Sequence, residues 1–304
     1  MASPTPLRIA LDWTPNTIHT GLFLAASAGL YATAGLDVQL LPPDESYSKT
    51  PAKRLETGEA DLAICPSESC IAYAENGKMQ LQAVYAILQR DASAIASMRL
   101  GRVAELGDGG VYGSYNARYE DAIVKAVVDA DGGKGDGVRV ERQKGKLSLF
   151  EAVKKGEVDA TWVFVPWEGV EAEREGVKVN YFRVGEHGIP YGYSPVIARK
   201  AGEGAIDTEV VRRFVKATRE GYELAVKDAN AGVAALKPHC RPEREEDFLR
   251  ESQKQINAYY SDGSQLGTMS AQKWKSWTTW LEEHKLMAKD AVATESLFTN
   301  EFGS

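Results

Sequence analysis

Apolar and polar positions divide this chain into two kinds of region. Up to about residue 198, short apolar runs alternate with amphipathic stretches; beyond it the pattern is almost wholly helical. Residues 7–11 read as a strand, and after a polar stretch residues 22–29 read as a helix closed by Gly29. Residues 35–41 alternate and stop at Pro42-Pro43, which cannot continue a ladder. A polar loop, 44–50, then leads to a helix at 51–56, a short buried strand at 62–65, a helix opened by Pro66-Ser67-Glu68-Ser69, and a strand at 81–88. The pattern restarts at Ala94: strand 110–112, a glycine-led turn 113–116, helix 119–130, glycine-rich loop 131–137, strand 138–140, helix 149–155 and strand 160–165. A run at 193–198 reads as a strand that returns the chain to its first part, followed by helices at 208–228, 245–258 and 271–286. Strands alternating with helices imply βαβ units and a mainly parallel sheet.

The alternation repeats itself. AKRLETGEADLAICPSE at 52–68 and LFEAVKKGEVDATWVFVPWE at 149–168 share one plan: amphipathic helix, Gly-Glu-x-Asp turn, apolar strand, proline, glutamate. A βαβ plan used twice points to two similar lobes rather than one continuous sheet. In the last helix Trp274, Trp277 and Trp280 recur at a spacing of three. That spacing is the buried face of a helix before it is a ligand platform.

Composition narrows the function. A chain of 304 residues, 43% hydrophobic and 26% charged, has enough apolar material for sizeable cores. Its net charge of −7 gives no general attraction to nucleic acid or anionic membranes, and no basic block with interleaved aromatics is present. No stretch approaches the roughly 18 apolar residues of a spanning helix, and Met1-Ala2-Ser3-Pro4-Thr5-Pro6 lacks the features of a secretory leader. Together with three cysteines that form no CxxC pair, Cys65, Cys70 and Cys240, this sets the expectation of a cytoplasmic protein with free thiols.

The histidines stand in no metal-binding spacing, and neither a GxSxG elbow nor a GxxxxGK[ST] loop occurs, so no metal is expected. What remains is a set of aromatic and polar residues at strand ends: Trp13, Asn16, Ser67, Glu68, Tyr115, Trp167, Glu168, Tyr191 and Tyr193. The segment Asp12-Trp13-Thr14-Pro15-Asn16-Thr17-Ile18-His19 sits where a strand gives way to a helix, the edge at which ligands collect in open α/β folds. A flat, nitrogen-rich heterocycle needs aromatic faces and edge acceptors. Trp13 reads as one wall of such a pocket, Trp167 as another, and Glu168 as an acceptor for an amino group or ring N–H. The alternatives are a core aromatic for Trp13, a turn cap for His19 and a helix-start acid for Glu168. Gly113-Ser114-Tyr115-Asn116 offers backbone N–H groups to an anion, or is an ordinary capping turn.

LDWTPNTIHTGLFLA closely resembles the opening signature of a periplasmic-binding-like family that includes bacterial binding proteins for thiamine pyrimidine precursors and fungal thiamine-pyrimidine synthases. GLYATAGLDVQLL, GEADLAICPSES, PWEGVE and YGYSP extend the similarity over about two-thirds of the chain. The resemblance implies an α/β, two-lobe type II periplasmic-binding-protein-like fold with a helical C-terminal segment, lobe 1 from 1–92 and 197–304 and lobe 2 from 93–196. It also implies a small-molecule ligand clamped between the lobes: Trp13 as stacking wall, Trp167 and Glu168 meeting an aminopyrimidine, Tyr191 or Tyr193 near the crossover.

The similar synthases carry pyridoxal phosphate on a lysine four residues beyond the Gly-x-x-Asp aspartate and consume a histidine four further on. Counted from Asp61, those positions hold Cys65 and Ser69. The synthases' iron-associated cysteines and Gly-Glu-Phe-Gly turn are missing as well. The expectation is therefore a binding protein without cofactor, with no nucleic-acid partner, no membrane insertion and homo-oligomers permitted. The alternative is an enzyme of thiamine pyrimidine biosynthesis, and pyridoxal phosphate and iron belong to that alternative alone.

Overall fold

In the computed structural model, which describes residues 3–44, 46–142, 149–240 and 244–303, the first apolar run forms β1 (Thr5–Ala10). Met1, Ala2 and Glu45, which fall in stretches read above, lie outside the described residues. A short 3₁₀ turn, Thr17–His19, leads into α1 (Thr20–Ser27), followed by α2 (Leu30–Thr33) and β2 (Leu36–Leu41). Next come α3 (Pro51–Glu56), β3 (Leu62–Cys65), α4 (Ser67–Asn76) and β4 (Leu81–Ala86). The second set of elements is β5 (Ser93–Ser97), β6 (Val111–Ser114), α5 (Glu120–Ala130), β7 (Arg139–Arg142), α6 (Leu149–Lys154), β8 (Ala160–Phe164), α7 (Val170–Glu175) and β9 (Asn180–Phe182). The chain ends with β10 (Val196–Lys200), α8 (Thr208–Lys227), α9 (Ala229–Leu236), α10 (Glu246–Tyr260) and α11 (Ala271–Glu283).

These elements divide into two compact units. The first holds Met1–Asp91, Gly192–Lys275 and Ala288–Ser304; the second holds Ala92–Tyr191 and Ser276–Met287. The chain thus changes unit at 91/92 and 191/192, against the expected 92/93 and 196/197, and residues 276–287 go with the second unit rather than the first. The returning strand also starts later than expected, at Val196, because Pro195 has no N–H to give a ladder.

Each unit is built on a five-stranded sheet of the same plan. In the first the order is β2-β1-β3-β10-β4, with β1 parallel to β2 and β3 and β10 antiparallel to both its neighbours. In the second it is β7-β6-β8-β5-β9, with β6 parallel to β7 and β8 and β5 antiparallel to both its neighbours.

The repeated Gly-Glu-x-Asp turn has one structural meaning in both units. Gly58 and Gly156 adopt φ of 75° and 71°, the left-handed conformation that ends a helix. Their N–H groups donate to Leu55 and Val153, and the following Glu59 and Glu157 donate to Arg54 and Ala152 at 2.8 and 2.9 Å, closing a Schellman cap. The aspartate then latches the strands. The N–H of Asp61 donates to the carbonyl of Arg8, and its carboxylate accepts from the N–H of Arg8, both at 2.8 Å. Asp159 does the same with Val111, at 2.8 and 2.7 Å.

Burial pushes the Asp61 carboxyl up, but hydrogen bonds from the Arg8 side chain and backbone outweigh it and hold the group below its ordinary 3.8. A carboxyl lowered in the folded state stabilises fully above its unfolded value, and that contribution fades as pH falls through the folded value. Asp61→Asn is therefore expected to lower the urea midpoint at pH 7. The gap from the parent should narrow on titration from about pH 5 towards pH 3. A gap that stays constant across this window would refute the latch.

Candidate functional site

The loop after β1 is held from beneath by helices of its own unit. Thr17 Oγ1 and Ser252 Oγ share a hydrogen bond of 2.7 Å, and Thr20 Oγ1 donates to Gln253 Oε1 at 2.5 Å. Two buried phenols cap the turn: Tyr222 donates to the carbonyl of Ile18 at 2.7 Å, and Tyr260 to that of Thr17. All of these groups are buried, so the network fixes the loop rather than meeting a ligand. Gly21 belongs to the same support. A Cβ there would lie 2.2 Å from the ring of Tyr222, so only glycine lets α1 approach α8.

Within the loop, Asn16 is spent locally. Its Oδ1 accepts from Ile18 N–H at 2.9 Å and its Nδ2 donates to the Thr14 carbonyl at 3.0 Å, the bonds of a helix N-cap. His19 is fully buried, and its Nε2 meets Asp12 Oδ1 at 2.8 Å. Trp13 is half-buried, its ring 5.9 Å from that of Tyr47 and inclined at 53°. Tyr47 donates to the Asp12 carbonyl. Burial pushes its phenol well up, with Asp12 and Cys65 adding to the effect, which places Tyr47, Asp12 and Cys65 at one corner of the sheet. The strand register agrees. β1 and β3 run parallel with Ala10 opposite Ala63, so the residues after both strands emerge at the same edge.

Ser67 and Glu68 open α4 at that edge. The Ser67 N–H donates to the Tyr193 carbonyl at 2.9 Å, and its hydroxyl donates to Glu68 Oε2 at 3.1 Å. Tyr193 itself is 3% exposed. Its hydroxyl accepts from Ser270 N–H at 2.8 Å, and the Lys273 ammonium lies 4.1 Å from its ring centre. Its side chain is an interior one, and its backbone is what reaches Ser67.

The second unit repeats the arrangement with different groups. Tyr115 follows β6 as Asp12 and Trp13 follow β1, and burial followed by Glu168 and Glu120 pushes its phenol well up. The N–H groups once offered to an anion are taken: Glu120 accepts from Tyr115 and Ala117 at 3.1 and 2.9 Å, and Ser114 Oγ from Asn116 at 3.0 Å. The protein's own carboxylate sits where an anion would, so the turn is a capping turn.

Trp167 and Glu168 lie on a π-helical turn, Val165–Gly169, a geometry that occurs mostly as single turns and frequently at functional sites. The wide turn leaves both side chains half-buried, and Glu168 Oε2 accepts from Phe164 N–H at 2.9 Å. Tyr191 packs 5.5 Å from Trp162 and edge-on to Trp277 at 5.4 Å. The tryptophan stripe is core: Trp274 stacks on Phe298, and Trp277 on Trp280.

The nine expected residues therefore fall into two groups. Trp13, Asn16, Ser67, Glu68 and Tyr193 belong to the first unit, and Tyr115, Trp167, Glu168 and Tyr191 to the second. Sequence reasoning missed Tyr47. Its loop carries no periodicity, and the one local signal was Asp44, whose carboxylate accepts from the N–H groups of Ser46 and Ser48 at 2.9 and 3.1 Å.

Known proteins share this family and this fold. A family model described as NMT1/THI5 like matches residues 16–231. The formylaminopyrimidine-binding protein of Halalkalibacterium halodurans is 22% identical over 299 residues, 95% of this chain and 88% of that protein. Among solved structures, the periplasmic nitrate-binding protein NrtA of Synechocystis PCC 6803 matches with a TM-score of 0.78 at 13% identity, covering 99% of this chain and 87% of that one. The alkanesulfonate-binding protein SsuA of Xanthomonas axonopodis pv. citri, bound to MOPS, matches with a TM-score of 0.74 at 15% identity, covering 98% and 99%. The fold is type II periplasmic-binding-protein-like, as the sequence implied.

Proposed function

We propose, from the premise that the chain belongs to the NMT1/THI5-like family, that it binds a small aminopyrimidine or related heterocycle and leaves it chemically unchanged. The observation that carries this reading is the corner after β1 and β3. A half-buried indole, Trp13, stands beside Tyr47, which holds the Asp12 carbonyl, on a loop pinned by a buried polar network. A rigid support of this kind holds a recognition loop in one geometry. The relative from Halalkalibacterium halodurans, named for a formylaminopyrimidine, supports the ligand class.

Against the synthase alternative stands Cys65. Its thiol is buried at the end of β3, and the neighbouring Cys70 is pushed well up by its hydrogen bond with Cys65 and by burial. A thiol forms no imine, so this position does not fit pyridoxal phosphate. Three free, buried cysteines among the described residues suit a reducing compartment and support the cytoplasmic setting. No described helix is long and apolar enough to cross a membrane.

Calorimetry against a panel of aminopyrimidines is expected to give one-to-one binding, with the ligand recovered unaltered by mass spectrometry. Absence of heat with every member, or recovery of a converted product, would overturn the reading.

A further inference from the structure

The carboxylate of Asp12 is only half used by the protein. Oδ1 meets His19 Nε2 at 2.8 Å, and His19 is completely buried while the Asp12 side chain keeps 19% of its surface exposed. The other ring nitrogen is committed too: the N–H of Asn16 donates to His19 Nδ1 at 3.3 Å. Nδ1 must then carry the lone pair, and the ring proton sits on Nε2, facing Asp12. The backbone of Asp12 is held as well, its carbonyl accepting from Tyr47. Among the described residues no hydrogen bond reaches Oδ2. A carboxylate is thus held through Oδ1, with Oδ2 spare, on the residue that precedes Trp13 in the loop.

We propose that Asp12 sets the specificity of this corner: Oδ2 accepts one N–H from an exocyclic amino group of the flat ligand, and His19 is a positioning residue that aims that oxygen without touching the ligand. This rests on the binding reading above and adds a residue and a selection rule to it. An ionised carboxylate only accepts, so it rewards a donor and repels an acceptor. An oxo group in place of the amino group would set two oxygens against each other in a partly desolvated corner, with the lost hydrogen bond left unreplaced. The site therefore selects aminopyrimidines over oxopyrimidines of the same shape.

The test measures dissociation constants for a matched pair of pyrimidines that differ only in amino against oxo at one ring carbon. The parent protein is expected to prefer the amino partner by about 100-fold, the loss of one hydrogen bond to a charged group. In Asp12→Asn, whose amide offers a donor as well as an acceptor, the preference should collapse to within roughly tenfold, in part because the oxo partner binds better. His19→Leu should weaken the preference in the same direction, and His19→Gln, which restores an N–H donor to Asp12, should recover part of it. A purely structural role for His19 would lower both affinities alike and leave the ratio fixed. As a measurement free of substitution, the Asp12 carboxyl resonance in ¹³C-labelled protein should move on adding the amino partner. An unmoved resonance, or an unchanged ratio in a folded Asp12→Asn protein, overturns the proposal while the binding reading stands. Failure of both pyrimidines to bind the parent overturns the two together.

Discussion

Gly221→Ala is expected to destabilise the first unit by about 3 kcal/mol and to lower its melting midpoint by roughly 6 to 12 °C. The reason is local. A Cβ on Gly221 would stand 2.1 Å from the carbonyl oxygen of Gly21 and 2.8 Å from Ala25 Cβ, so the new methyl meets backbone of α1 and not the end of a flexible side chain. Relief requires α1 and α8 to separate, and α8 also supplies Tyr222, which caps the 3₁₀ turn beneath the candidate site. Ligand affinity should fall with stability. Gly185, in the second unit, is the control for the substitution itself: nothing lies within 4 Å of a Cβ built there, and alanine should change stability by no more than about 0.5 kcal/mol. Thermal melts of both variants by circular dichroism check the pair. Equal midpoints would mean that the two helices do not meet at these glycines.

The second large effect is on binding. Trp13→Ala should weaken the aminopyrimidine ligand by about 1 to 3 kcal/mol, roughly 5- to 150-fold in Kd, the range found when an aromatic platform under a nucleobase-like ring is removed. Trp13→Phe should lose less. Since Trp13 is only half-buried, the folding midpoint should move far less than with a core tryptophan such as Trp274. Titration by calorimetry, with a melt of each variant, separates the two quantities. An unchanged Kd in Trp13→Ala would remove Trp13 from the site.

The doubled fold plan was legible because it is written in residues with few alternatives. Gly58 and Gly156 are needed where the backbone turns left-handed, and Asp61 and Asp159 where a carboxylate must reach the neighbouring strand. Large periodic side chains likewise gave away α8 and the Trp274–Trp277–Trp280 face. β5 was missed for the opposite reason. Ser93-Ala94-Ile95-Ala96-Ser97 is small and buried throughout, with β8 on one side and β9 on the other, so it shows neither alternation nor bulk. At the candidate site, the aromatic residues stand out by type, but the groups that support the Trp13 loop do not. That Thr17 and Thr20 answer to Ser252 and Gln253, more than 230 positions away, depends on packing that no local window contains. Asn16, expected as a ligand contact, is the cap of the turn before α1, a role that the same amide chemistry serves.

β10 lies between β3 and β4 in the first sheet, although more than a hundred residues separate it from either. On a ribosome, the amino-terminal strands emerge early and then wait with an open seam until residue 200 is out, and the bracing α8 and α10 arrive later still. All five strands of the other sheet, by contrast, have been made by residue 182. The second sheet is thus complete before the seam in the first is filled, the Trp13 loop gains its support only once α10 has been made, and residues 276–287, which join the second unit, come later still.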